Sequence, residues 1–200
     1  MELATLLKHP VDFDGIPSVR RLSVDDYHVL ARAGVFRPDE RVELIEGEIR
    51  CMNPKGPMHS AGATKASNAL RTHLGDRGMI RLQDPIGLSD DSEPEPDLVL
   101  VVPKESFYAD HHPRPEEVLL VIEISDTSLL YDRNVKGRLF AKAGIRQYCI
   151  LNLITLELED YREPDENGYR LKNTYKSNQC FNLVAFPENL IPVGDLFPPR

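Results

Sequence analysis

The amino-acid sequence predicts an α/β (α+β) fold: a central mixed β-sheet flanked by helices, with an N-terminal hairpin. Three observations lead there. Residues 98–102 and 118–124 are nearly continuous apolar runs of strand length, the pattern of strands covered on both faces. Helical patterns over 23–33, 58–74 and 128–143 alternate with the strand-like stretches. The dipeptides Glu46-Gly47 and Asn167-Gly168 each sit between strand-like runs, as hairpin turns do.

In chain order, residues 1–21 carry Pro10, Gly15 and Pro17 and read as an irregular lead-in. Ser23 and Asp26 have the spacing of a capping box opening the first helix, and Gly34 is a natural stop. Residues 41–45 and 48–52 form the first hairpin. Alternation turns Glu43 to the same side as Ile45. Pro54, Gly56 and Pro57 break the chain before a helix at 58–74, whose Ala61, Gly62, Ala63, Ala66 and Ala69 allow close packing on a sheet. His59 at its start reads as a polar cap or surface group. A strand is expected at 79–83, then the two apolar strands, joined by a polar loop holding His111 and His112. An amphipathic helix over 128–143 ends at Gly144. Strands follow at 147–151, 155–161 and 169–175, the last two joined through Asn167-Gly168. The remainder is expected to be a Pro-rich tail with a short apolar turn at 190–193. The chain is read as one domain over 1–200, with its core at 23–161.

Composition bounds the function. Of 200 residues, 41% are hydrophobic and 28% charged, as in ordinary soluble proteins. No apolar run approaches the roughly 18 residues of a membrane helix, and the N-terminus lacks a signal-peptide pattern. No membrane partner and a cytoplasmic location are therefore expected. Cys51, Cys149 and Cys180 match neither a disulfide framework nor a zinc pattern and read as buried, reduced thiols. The net charge of −8 argues against a simple non-specific nucleic-acid binder, though a local basic face is compatible with it. With no Trp and few aromatics, a carbohydrate-active hydrolase is disfavoured.

The chemistry gathers between Glu93 and Lys136. Glu123 lies inside an apolar strand, where a carboxylate is costly unless paired or metal-bound. Asp97 opens the preceding apolar strand. If the two strands are neighbours, both carboxylates meet at one end of the sheet. Such hard oxygens suit Mg²⁺ or Mn²⁺, an ion able to hold a phosphodiester oxygen and ready a water. Glu43 either completes this cluster or is, with Glu48, a solvated charge guarding a strand edge. Asp132 and Lys136, four apart, share a helical face. They form either a surface ion pair or an arrangement in which Lys136 reaches the carboxylates.

These residues, in order, resemble a known family. Glu43-Leu44-Ile45-Glu46-Gly47-Glu48, Asn53-Pro54 with His59, Pro96-Asp97-Leu98-Val99, Val121-Ile122-Glu123-Ile124-Ser125, Asp132 with Lys136, Ala143-Gly144-Ile145 and Gln147-Tyr148 are similar to the Uma-type restriction-endonuclease-like family of the PD-(D/E)XK nuclease superfamily. The resemblance runs from about residue 23 to 161, with an echo at 186–192. It implies a restriction-endonuclease-like fold and a Mg²⁺-dependent (or Mn²⁺-dependent) endonuclease acting on nucleic acid, DNA above all; a homodimer is a separate expectation. It implies catalytic Glu43, Asp97, Glu123 and Lys136, with Asp97, Glu123 and the main-chain carbonyl of Ile124 on the metal. Glu46, His59, Ser125 and Asp132 are accessory candidates. The lysine that the superfamily places two residues after the second acid is Ser125 here, so Lys136 from the next helix takes its place. Ser125 either donates a hydrogen bond near the site or caps the next helix. The alternative to an enzyme is a nuclease fold kept as a non-catalytic binding or assembly protein.

Overall fold

The computed structural model describes residues 19–199, so most of the expected N-terminal lead-in lies outside the described residues. Helix α1 (Val24–Arg32) begins with the capping box read from the sequence. Ser23 Oγ accepts from Asp26 N, and the Asp26 carboxylate accepts from Ser23 N. Strands β1 (Val42–Ile45) and β2 (Glu48–Cys51) pair antiparallel. Glu46 (φ 47°) and Gly47 (φ 76°) both take the left-handed conformation that a tight two-residue hairpin turn needs.

Six strands make the central sheet, in the order β3-β4-β5-β6-β7-β8. They are β3 (Met79–Leu82), β4 (Leu98–Val101), β5 (Val118–Ser125), β6 (Gln147–Asn152), β7 (Glu157–Asp165) and β8 (Gly168–Lys176). Only β5 and β6 run parallel; the other neighbours are antiparallel. A parallel pair needs a crossover. Here it is helical: α3 (Leu129–Tyr131), a π-helical turn (Asp132–Lys136) and α4 (Gly137–Lys142).

Alternation on β4 and β5 explains both apolar runs. Leu98, Leu100, Leu120, Ile122 and Ile124 join Ala63, Ala66 and Leu70 of α2 (Pro57–Leu74) on one face. Val99, Val101 and Val121 join Phe140, Tyr148 and Ile150 on the other. The small residues of α2 serve the close approach expected of them. A Cβ on Gly62 would stand 3.0 Å from Ile124 Cγ2.

Three expectations need correction. The segment after β8 is not a loose tail. It forms a hairpin of β9 (Cys180–Leu183) and β10 (Phe186–Pro192) and a 3₁₀ turn, and it buries Phe181, Leu183, Ile191, Val193 and Leu196 against α2 and the sheet. Pro187 and Pro192, both within β10, hid an alternation that the apolar residues carry. The β7–β8 turn is also shifted by one residue. Asp165 pairs with Gly168, so Glu166 and Asn167 are its central residues, and Asp165 Oδ1 accepts from Asn167 N and Gly168 N. Finally, only Cys149 is a buried thiol; Cys51 and Cys180 are exposed.

Candidate active site

The register of β4 on β5 pairs Leu98 with Ile122, which sets Asp97 beside Glu123 at the end of the sheet. By parity both point to the face crossed by the π-helical turn, as does Ser125. Asp97 N donates to Glu123 Oε2 (3.2 Å), and Ile124 N donates to Asp97 Oδ2 (2.9 Å). The two acids are thus locked to each other through the main chain.

Glu43 arrives from the first hairpin. The chain before Asp97 runs alongside β1, with Glu93 N donating to Leu44 O (2.8 Å), and Glu95 N donates to Glu43 Oε2 (3.1 Å). Glu43 is 3% exposed, so it is not a solvated edge charge; Glu48, half-exposed and paired with Arg21 and Arg50, is one. Lys136 is 5% exposed. Its Nζ lies 2.8 Å from Glu123 Oε1 and 3.4 Å from Glu43 Oε2. It does not form the surface pair with Asp132 that the spacing allowed. Asp132 is equally buried and accepts from Ser128 Oγ (2.6 Å).

The π-helical turn makes this possible. Gly137 N donates to Asp132 O, five residues back, where an α-helix reaches four. The Tyr148 hydroxyl donates to the same carbonyl (3.1 Å). Arg133 ties the turn to β7, with Nε 3.0 Å from Glu159 Oε2.

Two basic side chains reach Asp97 from the other side. Lys55, on the loop before α2, donates to Asp97 Oδ1 (2.8 Å), and His59 Nε2 lies 2.9 Å from Asp97 Oδ2. His59 is therefore neither a helix cap nor a surface group. Lys55 is the residue that sequence reading missed. Its proximity to Asn53-Pro54 was the available signal, but a lysine in a Pro-Gly loop carries no periodicity to mark it. Glu46 sits apart, exposed at the hairpin tip and paired with Lys142. Ser125 does not cap the following helix. Its hydroxyl is buried and makes no hydrogen bond.

These groups wall a cleft of about 480 Å³, lined among others by Glu43, Lys55, His59, Asp97, Glu123, Tyr131 and Lys136. Its electrostatics are uneven. Burial raises the Asp97 pKa, but the His59 hydrogen bond and charge and the Lys55 ammonium outweigh it and hold Asp97 well below the usual carboxylate range. Burial lifts Glu123 well above that range; Lys136 opposes the lift, while the Asp97 charge adds to it. Burial would lower Lys136, yet Glu123 and Glu43 hold it above its usual value, so it stays an ammonium. Burial also raises Asp132, against Ser128 and Lys136.

A family model described as "Putative restriction endonuclease" matches residues 24–194. The chain belongs to this family, Uma2. A crystal structure described as "a putative nuclease belonging to DUF820 from Anabaena variabilis ATCC 29413" is similar over 88% of this chain and 97% of its own, with 16% identity and a TM-score of 0.64. That likeness shows the shared fold. A search of curated proteins found no match. The Uma2 match reaches past residue 161 to include the C-terminal hairpin, in keeping with the core packing of that hairpin.

Proposed function

We propose that this Uma2 protein is a divalent-metal-dependent endonuclease that hydrolyses phosphodiester bonds, with DNA as substrate. One observation carries the reading: the locked pair of Asp97 and Glu123 at a cleft, with Lys136 held between Glu123 and Glu43. An acid pair on adjacent strands and a sealed ammonium beside it cost folding free energy, and a solvent-facing cleft gives that expense a use.

The donor set fits a hard cation. Asp97 and Glu123 supply carboxylate oxygens. The Ile124 carbonyl lies on the same side of β5 as its N–H, which faces Asp97. Among the described residues no group of three or more His, Cys, Asp or Glu side chains is already arranged to hold an ion. The Lys55 ammonium bonds one Asp97 oxygen instead, so it has to move aside. Asp97, Glu123 and Ile124 would hold Mg²⁺ or Mn²⁺, which supplies Lewis acidity toward the phosphate and an acidified water. Lys136 keeps Glu123 and Glu43 from repelling one another and leaves Glu43 aimed at the site. His59 orients Asp97, and Lys55 offers a positive charge to an incoming phosphate. The protein acts as a homodimer in this reading.

A second reading has one observation in its favour. Lys55, His59 and Lys136 already satisfy the acids, as in a nuclease fold kept only for binding or assembly. The experiment that separates the two is incubation of pure protein with plasmid and single-stranded DNA in Mg²⁺ or Mn²⁺. Cleavage that disappears in Glu123→Ala supports the enzyme. Absence of cleavage, or cleavage that survives the substitution, overturns it.

A further inference from the structure

Among the described residues, four buried side-chain nitrogen or oxygen atoms have no hydrogen-bond partner: His59 Nδ1, Arg81 Nε, Ser125 Oγ and Tyr131 Oη. His59 and Tyr131 line the cleft; Ser125 is buried on β5 and Arg81 is on β3. Buried polar atoms without partners are costly, and folded proteins keep few of them. Two of them on the wall of one cleft point to a ligand that brings the missing partners.

Tyr131 carries this furthest. It ends α3, directly before the π-helical turn, and lines the cleft with Glu43, Arg50 and Lys136. Burial, with the Glu43 charge adding to it, pushes its pKa up to about 12, so the phenol keeps its proton at any physiological pH. The nearby acids do not use that proton: Lys136 pairs with Glu123 and Glu43, and Ser128 with Asp132. A neutral donor standing idle among the Glu43 carboxylate, the Lys136 ammonium and the Arg50 guanidinium suits an oxygen acceptor, and the two cations favour one that is anionic, rather than an apolar or cationic ligand.

We propose that Tyr131 is a substrate-contacting residue whose hydroxyl donates a hydrogen bond to a phosphodiester oxygen in the cleft. This rests on the nuclease reading and adds a substrate contact to it. Removing the hydroxyl alone, in Tyr131→Phe, tests it against wild type. The readouts are fluorescence anisotropy with labelled single-stranded and duplex DNA in Ca²⁺, Mn²⁺ uptake by calorimetry, and thermal unfolding. The expected result is DNA binding weakened about tenfold, the share of one hydrogen bond to a charged acceptor, with Mn²⁺ uptake and melting temperature unchanged. DNA binding equal to wild type overturns the proposal. A melting temperature several degrees lower also overturns it, because the hydroxyl would then serve the free protein. If wild type binds no DNA, the nuclease reading falls and the Tyr131 contact with it. If wild type binds and Tyr131→Phe binds equally, only the Tyr131 contact falls.

Discussion

Lys136→Met separates a buried charge cluster from an ordinary surface pair. The substitution keeps the length of the side chain and removes the ammonium that lies 2.8 Å from Glu123 and 3.4 Å from Glu43. Removing one partner of a buried pair costs about 3–5 kcal/mol, because the other charge is left uncompensated. In a chain of this size about 1 kcal/mol moves the melting temperature by roughly 2–4 °C. A loss near 10 °C at pH 7 is therefore expected in scanning calorimetry. The sign of its pH dependence follows from Glu123. Its carboxyl is already raised in the folded protein, and without Lys136 it rises further. An acid whose folded pKa lies above its unfolded value costs nothing below the unfolded value. It costs progressively more as pH climbs toward the folded one. The gap between variant and wild type should therefore narrow toward pH 4.5 and widen toward pH 8. The double variant Lys136→Met/Glu123→Gln should recover a large part of the loss at pH 7, since the two residues are in contact. A loss under about 1 kcal/mol, the scale of an exposed pair, or one independent of pH, would refute the reasoning.

Lys55→Met should bind Mn²⁺ about tenfold more tightly in calorimetric titration, because the ion no longer competes with a hydrogen bond to charged Asp97; equal or weaker binding contradicts the displacement. The Glu159 carboxyl is lowered to about 2: burial raises it, but Arg133, Tyr161 and Lys172 together outweigh burial. Its contribution is complete above the unfolded value near 4.5 and is lost as pH falls toward 2, so Glu159→Gln should cost about 2 kcal/mol at pH 7 and little at pH 2.5 in urea titrations, allowing for solvent around the partners. Ser23→Ala removes the α1 cap and should cost about 1 kcal/mol without changing DNA binding. A thiol reagent should react quickly with Cys51 and Cys180 and slowly with Cys149, which is buried and whose pKa is raised by burial and then by Asp160.

What was legible in the sequence had a local cause. The α1 cap, the first hairpin and the two apolar strands each follow from spacing within a few residues, and the buried Glu123 stood out because it broke an apolar run. The convergence of Glu43 was half-legible, since alternation gave its side of the strand but not what that side met. The partner, residues 93–97, is held to β1 by hydrogen bonds across about fifty residues, which no local pattern encodes. Lys55 and Tyr131 were missed for the same reason. Lys55 meets Asp97 and Tyr131 meets the cleft only through the tertiary fold, and neither disturbs the periodicity of its own segment. The C-terminal hairpin was hidden by Pro187 and Pro192, although the apolar residues around them alternate as strands do.

The π-helical turn also acts as a phase shifter. One residue is about 100° of rotation in an α-helix, so the turn sets two faces of one crossover out of step. Leu139 and Phe140 follow one phase into the core, and Asp132 and Lys136 follow another into the cleft. Shortening the turn by one residue would give a more regular helix whose anchored core face swings the lysine away from Glu43 and Glu123. The crossover is held below its own best helix so that one segment can satisfy two environments.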